Sequence, residues 1–109
     1  MTPIRFWHMD QKIPGTNLLL TTEQCQRISS DLAPRNMRAT HLLRTKDKPR
    51  RFVLMTCHGR EPSVNDRLEI VAEGAAFETF MEHMTEGGQL FLGIADVFSK
   101  EQVARIVEM

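Results

Sequence analysis

Two runs of apolar and β-branched residues on either side of a short polar connection dominate the hydrophobic pattern of this chain. Arg38 to Thr45 and Arg51 to Cys57 are rich in strand formers, and Lys46, Asp47, Lys48, Pro49 and Arg50 lie between them. This pattern predicts a β-hairpin over residues 38–58. Upstream, Ile4, Phe6 and His8 alternate with Arg5, Trp7 and Met9, which predicts a short first strand, and Pro14-Gly15 marks a turn. Thr21 and Gln24 have the spacing of a capping box, with Leu20 and Cys25 placed as its hydrophobic staple. Cys25, Ile28 and Leu32 then recur on one helical face, so a helix is predicted from Thr21 until Pro34 ends it.

Beyond the hairpin, Arg60 to Asp66 reads as a loop containing Pro62, Ser63 and Asn65. Leu68, Ile70 and Ala72 alternate with Arg67, Glu69 and Val71, adding a strand that completes a meander. Phe77, Phe80, Met81 and Met84 share one helical face and predict a second helix, from near Gly74 to just before Gly87-Gly88. Leu90 to Ala95 is a continuous apolar run, either a further strand or a buried segment. A second capping box, Ser99 and Gln102 with Phe98 and Val103 as staple, opens a closing helix whose inner side is Val103, Ile106 and Val107. The predicted order is β-α-β-β-β-α-β-α. The expected architecture is a single α+β domain over 1–109, an antiparallel meander of about four or five strands with helices packed on one face.

Composition supports a folded domain: 41% of the 109 residues are hydrophobic and 26% charged, near globular averages. Cys25 and Cys57 are too few for a disulfide framework and are expected as reduced thiols. No run approaches the roughly 20 apolar residues that span a bilayer, so a cytoplasmic protein without a membrane partner is expected. The zero net charge conceals a separation. Residues 1–60 carry 11 Lys and Arg against 4 Asp and Glu, whereas residues 61–109 carry 3 against 10. Such asymmetry bears on partners and association rather than on fold.

Three groups of residues emerge as candidate surfaces. Arg44, Lys46, Lys48, Arg50 and Arg51 make a basic hairpin tip that could neutralise phosphates, although only Phe52 lies nearby as a stacking aromatic. Glu78, Glu82 and Glu86, spaced four apart, make an acidic stripe on the second helix, away from its apolar face. Trp7 with Met9 on the polar side of the first strand is the candidate apolar anchor. The predicted α-β-β-β-α order of residues 21–86 resembles double-stranded-RNA-binding domains in element order alone. Those domains read phosphates from a basic second-helix N-terminus, whereas Glu73 to Glu78 holds no basic residue.

Cys57-His58 suggests a thiol nucleophile with a neighbouring base, but adjacent strand residues point to opposite faces, so a buried apolar role is expected for Cys57. The histidines and cysteines match no zinc-ligand spacing, and no glycine-rich phosphate loop precedes a helix, so neither metal nor cofactor is expected. The sequence therefore predicts a small non-enzymatic binding protein, an inhibitor, adaptor or regulatory subunit of the kind a phage or mobile element could carry. Its expected partner is another protein, approached through opposite charges, with self-association as the homotypic form. Nucleic acid bound at the hairpin tip is the alternative, and a thiol enzyme centred on Cys57 the third.

Overall fold

The predicted hairpin forms the interior of the main sheet. The computed structural model describes residues 9–12, 19–31, 38–58 and 65–107. Trp7, most of the predicted first strand, the Pro14-Gly15 turn, Pro34 and most of the loop after Arg60 lie outside the described residues. The strands are β1 (Asp10–Lys12), β2 (Leu19–Thr21), β3 (Cys25–Ser30), β4 (Arg38–Thr45), β5 (Phe52–His58), β6 (Arg67–Val71) and β7 (Gln89–Leu90). The helices are α1 (Glu73–Thr85), α2 (Ile94–Val97) and α3 (Lys100–Val107). Five strands form one antiparallel sheet in the order β6-β5-β4-β3-β7, and β1 and β2 form a separate two-stranded sheet. The class is α+β.

Each face of the main sheet buries its own cluster, because side chains alternate along β4 and β5. On one face Ile28, Leu42, Ala76, Phe80, Val97 and Phe98 are buried, flanked by Phe52, Phe77, Met81, Val103 and Ile106, so this face carries the helices. On the other, Cys25, Leu43, Val53, Met55, Cys57 and Leu68 pack against Leu20 of β2, with Met9 beside them. The small sheet thus covers the face the helices leave. Its two strands are tied through Thr22, whose hydroxyl accepts from the Met9 amide at 3.0 Å and whose amide donates to the Met9 carbonyl at 3.0 Å.

The first predicted helix is a correction. Thr22–Gln24 form a single 3₁₀ turn with no side-chain cap from Thr21, and Cys25–Ser30 continue as strand β3. Its apolar residues are three apart because β3 is buried on both sides: Cys25 faces the small sheet and Ile28 the helices. The likeness in element order to double-stranded-RNA-binding domains therefore falls away. The second correction lies on α1. Met84 is 39% exposed, and the inward stripe is Ala76, Phe80 and His83.

The closing helix keeps its predicted cap and packs Val103 and Ile106 inward, but Val107, expected on the same side, is 69% exposed. The Ser99 amide donates to Gln102 Oε1 at 2.9 Å and the Gln102 amide to Ser99 Oγ at 3.1 Å, the two halves of a capping box. Phe98 and Val103, the expected staple, belong to one apolar cluster.

One irregularity positions buried chemistry. Arg27 pairs with Leu43 and Ser29 with Leu42, which leaves Ile28 as the extra residue of a β-bulge. The bulge shifts the phase of β3 by one, so Ser29 shares the helix side with Leu42 while Ser30 pairs with His41.

Candidate functional site

The basic tip is exposed and held at its base. The Thr45 amide donates to the Arg51 carbonyl at 2.9 Å, the Arg51 amide to Thr45 Oγ1 at 2.8 Å, and the Lys46 amide to the Gln24 carbonyl at 2.9 Å. Lys46, Lys48, Arg50 and Arg51 all project from this frame into solvent, and the Lys48–Pro49 peptide is cis. Arg44 differs from the other four. It is half-buried, its guanidinium donates to Gln26 Oε1 at 3.2 Å and to the Asp96 carbonyl at 3.3 Å, and burial lowers its pKa, with Arg50 adding to that.

The acidic stripe is equally exposed: Glu78, Glu82 and Glu86 all face solvent on α1 and its C-terminal end. Glu82 and Glu86 flank His83, which reaches Thr40 on β4. Thr40 lies five residues before Thr45, about 16 Å from the tip end of the strand at about 3.3 Å per residue. The His83 end of the stripe therefore lies away from the hairpin tip along the sheet. Among the described residues no ion pair joins Lys46, Lys48, Arg50 or Arg51 to Glu78 or Glu82.

Of the apolar anchor pair, Trp7 lies outside the described residues and Met9 is half-buried against the cluster beneath the small sheet. Three other apolar side chains are partly open to solvent. Leu90 (40% exposed), Phe91 (38%) and Ile94 (38%) lie between the end of α1 and the start of α2, in the run whose sequence predicts strand or core. Arg27 stacks over the Phe91 ring at 4.2 Å from its centroid.

The densest chemistry has no signature in the sequence. Ser29 Oγ lies 2.7 Å from His83 Nδ1, and Thr40 Oγ1 lies 2.8 Å from His83 Nε2. Asp31 Oδ2 accepts from the Thr40 amide at 2.7 Å and from the Thr40 hydroxyl at 2.9 Å, and Asp31 Oδ1 is 3.5 Å from His83 Nε2. A second pair sits across the sheet: Ser30 Oγ is 2.7 Å from His41 Nδ1 and accepts from Arg27 at 3.2 Å. Burial lowers the pKa of both histidines, that of His41 to about 4, where nearby Arg27 and His83 add to the effect. The Ser–His–Asp composition resembles that of a nucleophilic triad, but Ser29 is 0% and His83 1% exposed, which denies a substrate the hydroxyl. No spacing rule could have found this group, since Ser29 and His83 are 54 residues apart in sequence.

Cys57 is buried, and burial together with the Asp66 charge pushes its thiol up to about 12; burial also raises that of Cys25. His58 is exposed on the opposite face from Cys57. Among the described residues no group of three or more His, Cys, Asp or Glu is arranged to hold a metal ion, and no helix is long and apolar enough to cross a membrane. No protein-family model, no curated protein and no solved structure matches the chain.

Proposed function

We propose that the chain is a small non-enzymatic binding protein, an inhibitor, adaptor or regulatory subunit, that docks on another protein. The observation carrying this reading is the exposure of two oppositely charged surfaces, the hairpin tip and the stripe on α1, with no ion pair among the described residues joining Lys46, Lys48, Arg50 or Arg51 to Glu78 or Glu82. Charges arranged so raise the rate of encounter with a complementary partner and select its orientation. Leu90, Phe91 and Ile94 supply the apolar contact that charge alone does not, and Phe91 is the aromatic among them.

The test is to isolate the native protein from its own cells at low salt, identify the protein that accompanies it, and measure association of the purified pair. Association should slow by about tenfold as salt rises or when Glu78 and Glu82 become lysine. A rate indifferent to both would remove the electrostatic steering. The exposed tip makes nucleic acid the second reading. Retention on duplex or single-stranded nucleic acid that is steeply salt-dependent, and lost when Lys48, Arg50 and Arg51 become alanine, would favour it over a protein partner. Sedimentation of the purified chain at low salt separates the homotypic case.

A further inference from the structure

The hydrogen bonds around His83 run in one determined direction. Asp31 Oδ2 accepts both the amide and the hydroxyl of Thr40, so the Thr40 hydroxyl hydrogen is committed to the carboxylate. Its oxygen can then only accept from the ring, which places the hydrogen of neutral His83 on Nε2. Nδ1 is left as an acceptor and takes the Ser29 hydroxyl hydrogen at 2.7 Å. The direction of the chain Ser29 to His83 to Thr40 to Asp31 thus depends on an unprotonated Nδ1: a protonated one would donate to Ser29 Oγ and leave the buried Ser29 hydroxyl hydrogen without this acceptor. It joins three elements, since Ser29 and Asp31 lie on or just after β3, Thr40 on β4 and His83 near the end of α1.

The segment from Gly87 to Phe91 is held by backbone bonds to α1 and β3, two of the elements this hydrogen-bond chain joins. The Gly88 amide donates to the His83 carbonyl at 2.7 Å, Leu90 and Gln89 pair with Ser29 and Ser30, and the Phe91 amide donates to the Ile28 carbonyl at 2.9 Å. Gly88 sits so close that a Cβ there would meet the Ser30 carbonyl oxygen and lie 2.8 Å from that of His83. Gly87, at φ 78°, makes the turn between helix and strand.

We propose that this chain is an acid-released clasp: a proton taken from solvent by His83 Nδ1 turns acceptor into donor, displaces the Ser29 hydroxyl hydrogen, and frees the last turns of α1 with the Gly88–Phe91 segment. The charged groups facing His83 oppose one another. Burial disfavours the imidazolium and is the largest influence, while Asp31 at the end of β3 and Glu86 just past its own helix favour it. His41 on β4 lies within electrostatic reach and is itself influenced by Arg27 of β3. Burial prevails, so the native ring protonates less readily than an unfolded one. The closed clasp is therefore favoured above about pH 6.5, and that advantage is lost as pH falls through the native pKa. The consequence extends beyond the proposed binding role: Leu90 and Phe91, which would contact a partner, are carried on a segment whose order depends on pH.

Hydrogen exchange resolved along the full chain tests this between about pH 7 and about pH 5, corrected for intrinsic exchange. Amides of Phe80–Thr85 and Gly88–Phe91 should lose protection relative to β4 and β5, by up to about tenfold per pH unit below the onset. The His83 ring resonance of the closed state should titrate below the onset of that loss. In His83→Gln, whose amide can both donate and accept but does not titrate, the ratio should be flat. A constant ratio in the unaltered protein, an equal rise at every amide, or an unchanged pH dependence in His83→Gln would overturn the proposal. Should that variant fail to fold, the ring titration decides: a closed-state ring that titrates at or above the ordinary value of about 6.5 overturns the clasp.

Discussion

Ser29 has no exposed surface, and its hydroxyl donates to His83 Nδ1. Removing that hydroxyl leaves a buried ring nitrogen without its donor, and this costs more than the hydrogen bond itself contributes. Ser29→Ala should therefore lose about 1–3 kcal/mol in denaturant unfolding. Thr85 provides the comparison, since its hydroxyl donates to the Met81 carbonyl at 2.9 Å from an exposed position. Thr85→Ala should stay within about 0.5 kcal/mol of the unaltered protein. This difference is invisible in sequence, where both residues are small hydroxyls in polar surroundings. Burial decides it, and the bulge at Ile28 decides that Ser29 is buried on the helix side.

Among the elements, α2 and α3 are short and depend on the aromatic cluster beneath them. Phe98 stacks on Phe52 with centroids 5.2 Å apart and meets Phe77 at 5.2 Å and Phe80 at 6.0 Å in edge-on arrangements. It joins the hairpin, α1 and the start of α3 in one contact. Phe98→Ala should cost about 3–5 kcal/mol, measured as a shift in the denaturant midpoint. The corner at Phe98 was legible because capping box and staple are local devices, satisfied within five residues of chain. The region after Thr21 carries the same local signature and became a strand. There the apolar spacing reflects burial from both sides of a sheet, and a strand covered on both faces need not alternate. The misplaced Met84 has a related cause: polar partners on β3 and β4 turn α1 so that His83 faces inward.

For the whole molecule, acid is the condition that meets both buried histidines. The native pKa of His41 is about 4, chiefly through burial, against about 6.5 in an unfolded chain. The unfolded state binds the proton more readily, so His41 stabilises the fold above about pH 6.5 and ceases to do so as pH falls through about 4. The loss across that interval is about 3 kcal/mol. Unfolding free energy measured from neutral to about pH 4 should fall accordingly, and His41→Gln should flatten the slope. A slope unchanged in that variant would assign the acid sensitivity elsewhere.

Local chemistry along the chain determined the hairpin, the meander, α1 with its glycine exit and the capped α3, because alternation, capping and turn residues act within a few positions. It also determined that positive charge gathers in the first half and negative charge in the second. Only the tertiary structure decided what those charges and polar groups meet. It left the basic tip and the acidic stripe exposed, tied Arg44 to β3 and α2, covered the second sheet face with the β1–β2 ribbon, and drew Ser29, Asp31 and Thr40 around His83. The physical reason is that a buried polar group is positioned by partners distant in sequence, and a single extra residue in β3 decides which face of the sheet Ser29 joins.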